Sequence, residues 1–131
     1  MKTELKRDDL IYPELAYRII GVLFSVWKEL SFGHRESVYQ KSVSSQFKKE
    51  GVKFTEQVYK PVKFNNENVG KNFFDFLIDD KIVLEIKVRN YFSKNDIDQL
   101  YSYLKSGNYK LGIIAHFTRD GVKFKRVVNI L

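Results

Sequence analysis

Asp75, Glu85 and Lys87 carry chemistry by their types and spacing. Asp75 interrupts the run Asn72-Phe73-Phe74-Asp75-Phe76-Leu77-Ile78, in which every other position from 73 to 78 is large and apolar. A strand of that composition is normally covered on both faces. A carboxylate inside it is costly unless it is paired, hydrogen-bonded or bound to a metal. In the next run the even positions are Ile82, Leu84, Ile86 and Val88, and the odd ones are Lys81, Val83, Glu85 and Lys87. Side chains two apart on a strand point the same way, so Glu85 and Lys87 project side by side. Two carboxylates bind a hard divalent cation such as magnesium through oxygen. Such a cation stabilises charge on a phosphate and lowers the pKa of a bound water. A neighbouring lysine orients or helps deprotonate that water, or stabilises the developing charge. The set suits phosphodiester cleavage. The competing reading is an exposed Glu85–Lys87 ion pair with Asp75 as a satisfied turn acid, because Glu-x-Lys is common on strands.

These residues need two neighbouring strands, and the short Asp79-Asp80 connection between runs 72–78 and 81–88 supplies them. Around this pair the periodicity predicts further elements. Pro13 suits a first helical position, and residues 13–30 place Leu15, Ala16, Ile19, Ile20, Leu23, Val26, Trp27 and Leu30 on one face. A second helix over about 35–50 has Val38, Tyr39, Val43 and Phe47 as its apolar stripe, with Gly51 past its end. Val52, Phe54 and Val58 alternate as in a strand until Pro61, which places that segment at an edge or bend. Residues 64–70 read as a turn between strands. A helix over 95–106 starts with a Ser93/Asp96 capping pair, ends at Gly107, and buries Ile97, Leu100, Tyr101 and Leu104. Gln99 and Tyr103 share a face beside that stripe. Strands at 110–117 and 122–129 flank an Arg119-Asp120-Gly121 hairpin. The expected order is α-α-β-β-β-β-α-β-β, a central mixed β-sheet flanked by α-helices in one α/β domain. Residues 1–12 are expected to form a loose N-terminal segment.

Composition bounds the function. At 131 residues, 44% hydrophobic and 15% aromatic, the chain has material for a core and is not a disordered polymer. The absence of cysteine excludes a disulfide scaffold, a thiol nucleophile and a cysteine-zinc site. No apolar run reads as a signal peptide or membrane span, which fits a soluble protein of the cytoplasm. Lys and Arg outnumber Asp and Glu by 23 to 16, a net +7 that attracts polyanions, nucleic acid above all.

Asp75 followed by Glu85-Ile86-Lys87 resembles the signature of the PD-(D/E)XK, or restriction-endonuclease-like, nuclease superfamily, with Phe74 where the name has proline. Gly33-His34-Arg35-Glu36-Ser37-Val38-Tyr39 is similar to the motif that names the GxxExxY proteins, a branch of that superfamily. Glu56-Gln57 with Pro61-Val62, the stretch Gln99 to Leu104, and Gly112-Ile113-Ile114 with Phe117 match further features of that branch. The resemblance implies a restriction-endonuclease-like fold and cleavage of DNA dependent on magnesium or manganese. It implies Asp75 and Glu85 as metal ligands and Lys87 as the catalytic lysine. It also implies Glu36 as an additional acid and Gln99 as support for the site, with Tyr103 a lesser support.

Lys94 and Lys105 flank the Gln99 helix and, with Tyr103, are candidate contacts to nucleic acid. Lys48, Lys49, Lys123, Lys125 and Arg126 are lesser ones. His34 and His116 lack metal-ligand spacing; His116 reads as a core residue and His34 as a minor candidate for phosphate contact. Tyr101 and Trp27 read as packing residues. A homodimer is compatible with a domain this small. Two other functions stay open: a nuclease-like module that binds nucleic acid without cutting, and a homo-oligomeric interaction protein with a vestigial site.

Overall fold

The computed structural model describes residues 11–130. Helix α1 (Pro13–Leu30) starts on Pro13, whose missing N–H is one that a first turn leaves unbonded anyway. It buries Ala16, Ile19, Val22, Leu23 and Val26, and Trp27 Nε1 donates to the Thr118 carbonyl at 2.8 Å. Helix α2 (Glu36–Lys49) buries Tyr39, Val43 and Phe47 as expected. The expected loose segment 1–12 lies outside the described residues except for Ile11 and Tyr12, which pack against the core.

Strands β1 (Phe54–Phe64), β2 (Glu67–Ile78) and β3 (Ile82–Val88) precede helix α3 (Lys94–Gly107), which is followed by β4 (Leu111–Thr118) and β5 (Gly121–Val128). Three strands, not four, come before α3, because β1 runs unbroken through Pro61. The sheet order β1-β2-β3-β4-β5 makes β1 an edge strand, where a residue without an N–H is tolerated. The turn expected over 64–70 contracts to Asn65-Asn66, both left-handed at φ 52° and 64°, which is the pattern of a tight two-residue hairpin turn. Residues 67–71 continue β2 but are exposed at every position, so no alternation marks them.

All pairings are antiparallel except β3 with β4, which run parallel through the α3 crossover. Ser93 Oγ accepts from Asp96 N at 3.0 Å to cap α3. At the other end Asn108, not Gly107, takes the left-handed position at φ 58°. The sheet separates two cores. One face, with Phe76, Ile78, Ile82, Leu84 and Ile86, packs on α1 and α2. The other, with Phe74, Leu77, Val83 and Ile114, packs on Leu100, Tyr103 and Leu104 of α3. The helix presents Tyr103 to the sheet and leaves Tyr101 half-buried at its flank, the reverse of the expected stripe. Among the described residues no helix is long and apolar enough to cross a membrane.

Candidate active site

The β2–β3 ladder runs from Ile78/Ile82 to Phe76/Leu84 and stops there. Asp75 and Glu85 are the first residues past its end, where β2 and β3 stop pairing with each other while β3 stays paired with β4. An unpaired backbone N–H in such a place needs another acceptor, and here the carboxylates supply it crosswise. Asp75 N donates to Glu85 Oε2 at 2.6 Å, and Ile86 N donates to Asp75 Oδ2 at 2.8 Å. One oxygen of each carboxylate is thereby fixed to the opposite strand. β2 also changes face at this point: Phe74 belongs to the α3-side core and Phe76, two residues on, to the α1/α2-side core. The β1–β2 pairing lapses at the same level, at Gln57, which has φ 49°.

Helix α2 brings two more groups to this fork. Glu36 in its first turn accepts a hydrogen bond from the Val88 backbone. Gln40, one turn on, donates to Glu36 Oε2 at 3.4 Å and lies close enough to Asp75 to favour its charged form. The glycine and tyrosine of the Gly33–Tyr39 stretch have structural work. Gly33 sits at φ 119°, a conformation that side chains disfavour. Tyr39 is fully buried, stacks on Phe117 at 4.5 Å between ring centroids, and donates its hydroxyl to the Ser31 carbonyl. Together they set the α1–α2 turn so that Glu36 faces the sheet.

The acids interact strongly. Burial pushes the Glu85 carboxyl up to about 8, and the Asp75 charge adds to this against the Asp75 N–H and Lys87. Burial likewise raises Asp75, opposed by the Ile86 N–H, Lys87 and Gln40. Glu36 is raised by burial, with Lys87 opposing and Asp75 adding. Lys87 thus lies within electrostatic reach of all three carboxyls and does not neutralise them. The remaining demand for positive charge, met by oxygen donors only, suits a hard divalent cation. Among the described residues no three His, Asp or Glu side chains are arranged as a ready-made metal cage. The fit therefore rests on the Asp75–Glu85 pair, with Glu36 nearby.

Other expected residues fall in varied places. Tyr103 is 5% exposed and packs on Phe74 at 5.5 Å. Burial, then Glu85 and Asp75, push its hydroxyl up to about 12. Its ring lies beneath the acids and does not offer the surface contact expected of it. Gln99 is exposed beside Asn95, Asp96 and Asp98 around a cavity of about 310 Å³ and has no hydrogen bond to the acids. Lys94 and Lys105 are exposed at opposite ends of α3, and Lys105 lies 5.6 Å over the Tyr101 ring. His34 is exposed and contacts the Leu30 carbonyl through Nε2 at 3.1 Å. His116 is fully buried beside Lys87, stacked on Phe92 at 3.9 Å, with neither ring nitrogen bonded. Burial lowers it to about 4, so it is neutral at pH 7.

Two residues of the site were not foreseen. Gln40 was detectable only by its helical i+4 spacing from Glu36. Arg89 bonds Asp96 at 2.8 Å and ties the end of β3 to the start of α3.

A family model described as the PD-(D/E)XK nuclease superfamily matches residues 13–127. No curated protein matches the sequence. Among solved structures, a crystal structure of SSO0001 aligns with a TM-score of 0.58 at 20% identity, covering 73% of this chain and 51% of that one. An alkaline exonuclease (LHK-Exo) from Laribacter hongkongensis aligns with a TM-score of 0.50 at 13% identity, covering 66% and 52%. At such identities the likeness is one of fold, and the chain spans about half the length of each of these proteins.

Proposed function

This chain belongs to the PD-(D/E)XK nuclease superfamily, and from that premise we propose that it hydrolyses phosphodiester bonds in DNA with the help of magnesium or manganese. The observation that carries the reading is the crosswise bonding of Asp75 and Glu85 at the end of the β2–β3 ladder, with Lys87 on the same strand face as Glu85. Asp75 and Glu85 would hold the cation through the oxygens their backbone bonds leave over, and Glu36 would add a third acid. The ion, when bound, supplies charge stabilisation at the phosphate and a more acidic water.

The chain's own groups do the rest. Lys87 holds the attacking water beside the acids and stabilises the negative charge that builds on the phosphate. Gln40, beside Asp75, favours its charged form and so its readiness to hold a cation. Burial of Glu85 favours its discharge by a cation over its solvation as a free carboxylate. Narrower membership in the GxxExxY branch is supported by the roles of Gly33, Glu36 and Tyr39 described above.

The test is incubation of the purified protein with labelled single-stranded, duplex and branched DNA, and with RNA, in magnesium, in manganese and in chelator. Cleavage of DNA only with the metal is expected. Absence of cleavage in every arm, or cleavage that persists in chelator, would dismiss the proposal.

A further inference from the structure

The β1–β2 hairpin extends beyond the acids and is covered by α3 on one face only. On that face Asn72 Nδ2 donates to Ser106 Oγ at 2.8 Å and Lys60 lies over the Tyr109 ring. Val58 and its partner Phe74 also point to α3. By alternation the next pair, Tyr59 and Phe73, points to the other face. These two rings are 48% and 50% exposed, and their centroids lie 5.2 Å apart. Lys71 Nζ stands 5.7 Å from the Phe73 ring centre.

Phe73 precedes Asp75 by two residues, about 7 Å along one strand. Tyr59 stands at the same distance from Gln57, where the β1–β2 pairing lapses opposite Asp75. A cavity of about 220 Å³ lies where α2 meets the base of the hairpin, lined by Ser37, Gln40 and Lys41 of α2 and by Glu56, Gln57 and Phe76. A base attached next to a phosphate held at the acids would reach the rings. Exposed aromatic rings with a lysine beside them are how proteins hold unpaired bases, since every base has a stacking face and the backbone is anionic. In a duplex both faces of each internal base are already stacked.

We propose that Tyr59 and Phe73, with Lys71, form a stacking platform for an unpaired base next to the scissile phosphate, so that the substrate is a single strand or a frayed end. This rests on the nuclease reading for the position of the phosphate. Its test does not need cleavage: fluorescence anisotropy of a labelled oligothymidylate and of a blunt duplex, both in chelator. For Tyr59→Ala with Phe73→Ala, the ratio of single-strand to duplex affinity falls at least about fivefold, the lower end of one base–aromatic stack. The exposed Tyr17→Ala on α1 leaves the ratio unchanged. Tyr59→Leu with Phe73→Leu keeps apolar surface for folding and shows the same loss. An unchanged ratio in a folded variant overturns the proposal, as does a wild-type protein that binds no single strand. Dissociation of a dimer by the substitutions, seen in sedimentation, also overturns it and identifies the face as a contact between copies. Intact binding without any metal-dependent cleavage would instead count against the nuclease reading alone.

Discussion

Glu85→Gln isolates the electrostatic tension of the site. Glu85 titrates near 8 in the fold, against an ordinary value of 4.5. Between those values the unfolded chain carries the ionised carboxylate while the folded one holds the proton, so the group's contribution to stability falls as pH rises. It is fully present below pH 4.5 and fully lost above 8. At pH 7 the span from 4.5 is two and a half pH units, at about 1.4 kcal/mol each, so the burden is on the order of 3 kcal/mol. Glutamine is neutral at every pH and its carbonyl oxygen can still accept from Asp75 N. In chelator at pH 7 the variant should therefore melt about 10 °C above wild type, and the two should converge near pH 4. Excess magnesium should close much of the gap, since a ligand at a hundred times its dissociation constant contributes about 2.7 kcal/mol to wild type. Thermal unfolding followed by circular dichroism at several pH values measures all of this. A gap that is the same at pH 5 and pH 8, or a variant less stable at pH 8 without metal, would mean that burial does not raise Glu85 in this way.

Other perturbations follow from the same geometry. His116→Phe removes two buried, unbonded ring nitrogens and a group whose value lies near 4; wild type should lose stability as pH falls from 6.5 through 4, and the variant should lack that component in urea melts. Gly33→Ala places a side chain at φ 119° and should lower stability by roughly 1–3 kcal/mol, read from the same melts. Gln40→Ala should leave the melt nearly unchanged and weaken metal-dependent cleavage roughly tenfold, the lower end of what ligand-orienting partners contribute.

Much of the site was legible because strand alternation is strict. One acid inside an apolar run, and an acid and lysine two apart on the next, could meet only where those strands adjoin. The Ser93 cap and the Asp79-Asp80 turn, left-handed at φ 52° and 57°, were readable from local chemistry. The fork itself was not. Phe74 and Phe76 read as one face, and only the lapse in pairing at Gln57 sends them to opposite cores. Tyr101 and Tyr103 are chemically equal and two apart on one helix, so the rotation of α3 against Phe74, a tertiary contact, decided which was buried. Residues 67–71 lacked any pattern because both faces of the hairpin tip are exposed.

In the proposed reaction Lys87 acts on a phosphate held by the acids at the fork. Single-turnover cleavage of labelled single-stranded DNA in magnesium, by wild type and by Lys87→Ala, separates that role from binding and folding. A loss of about a hundredfold or more is expected in a variant that melts as wild type does and still binds the DNA. Robust cleavage by that folded variant would contradict it.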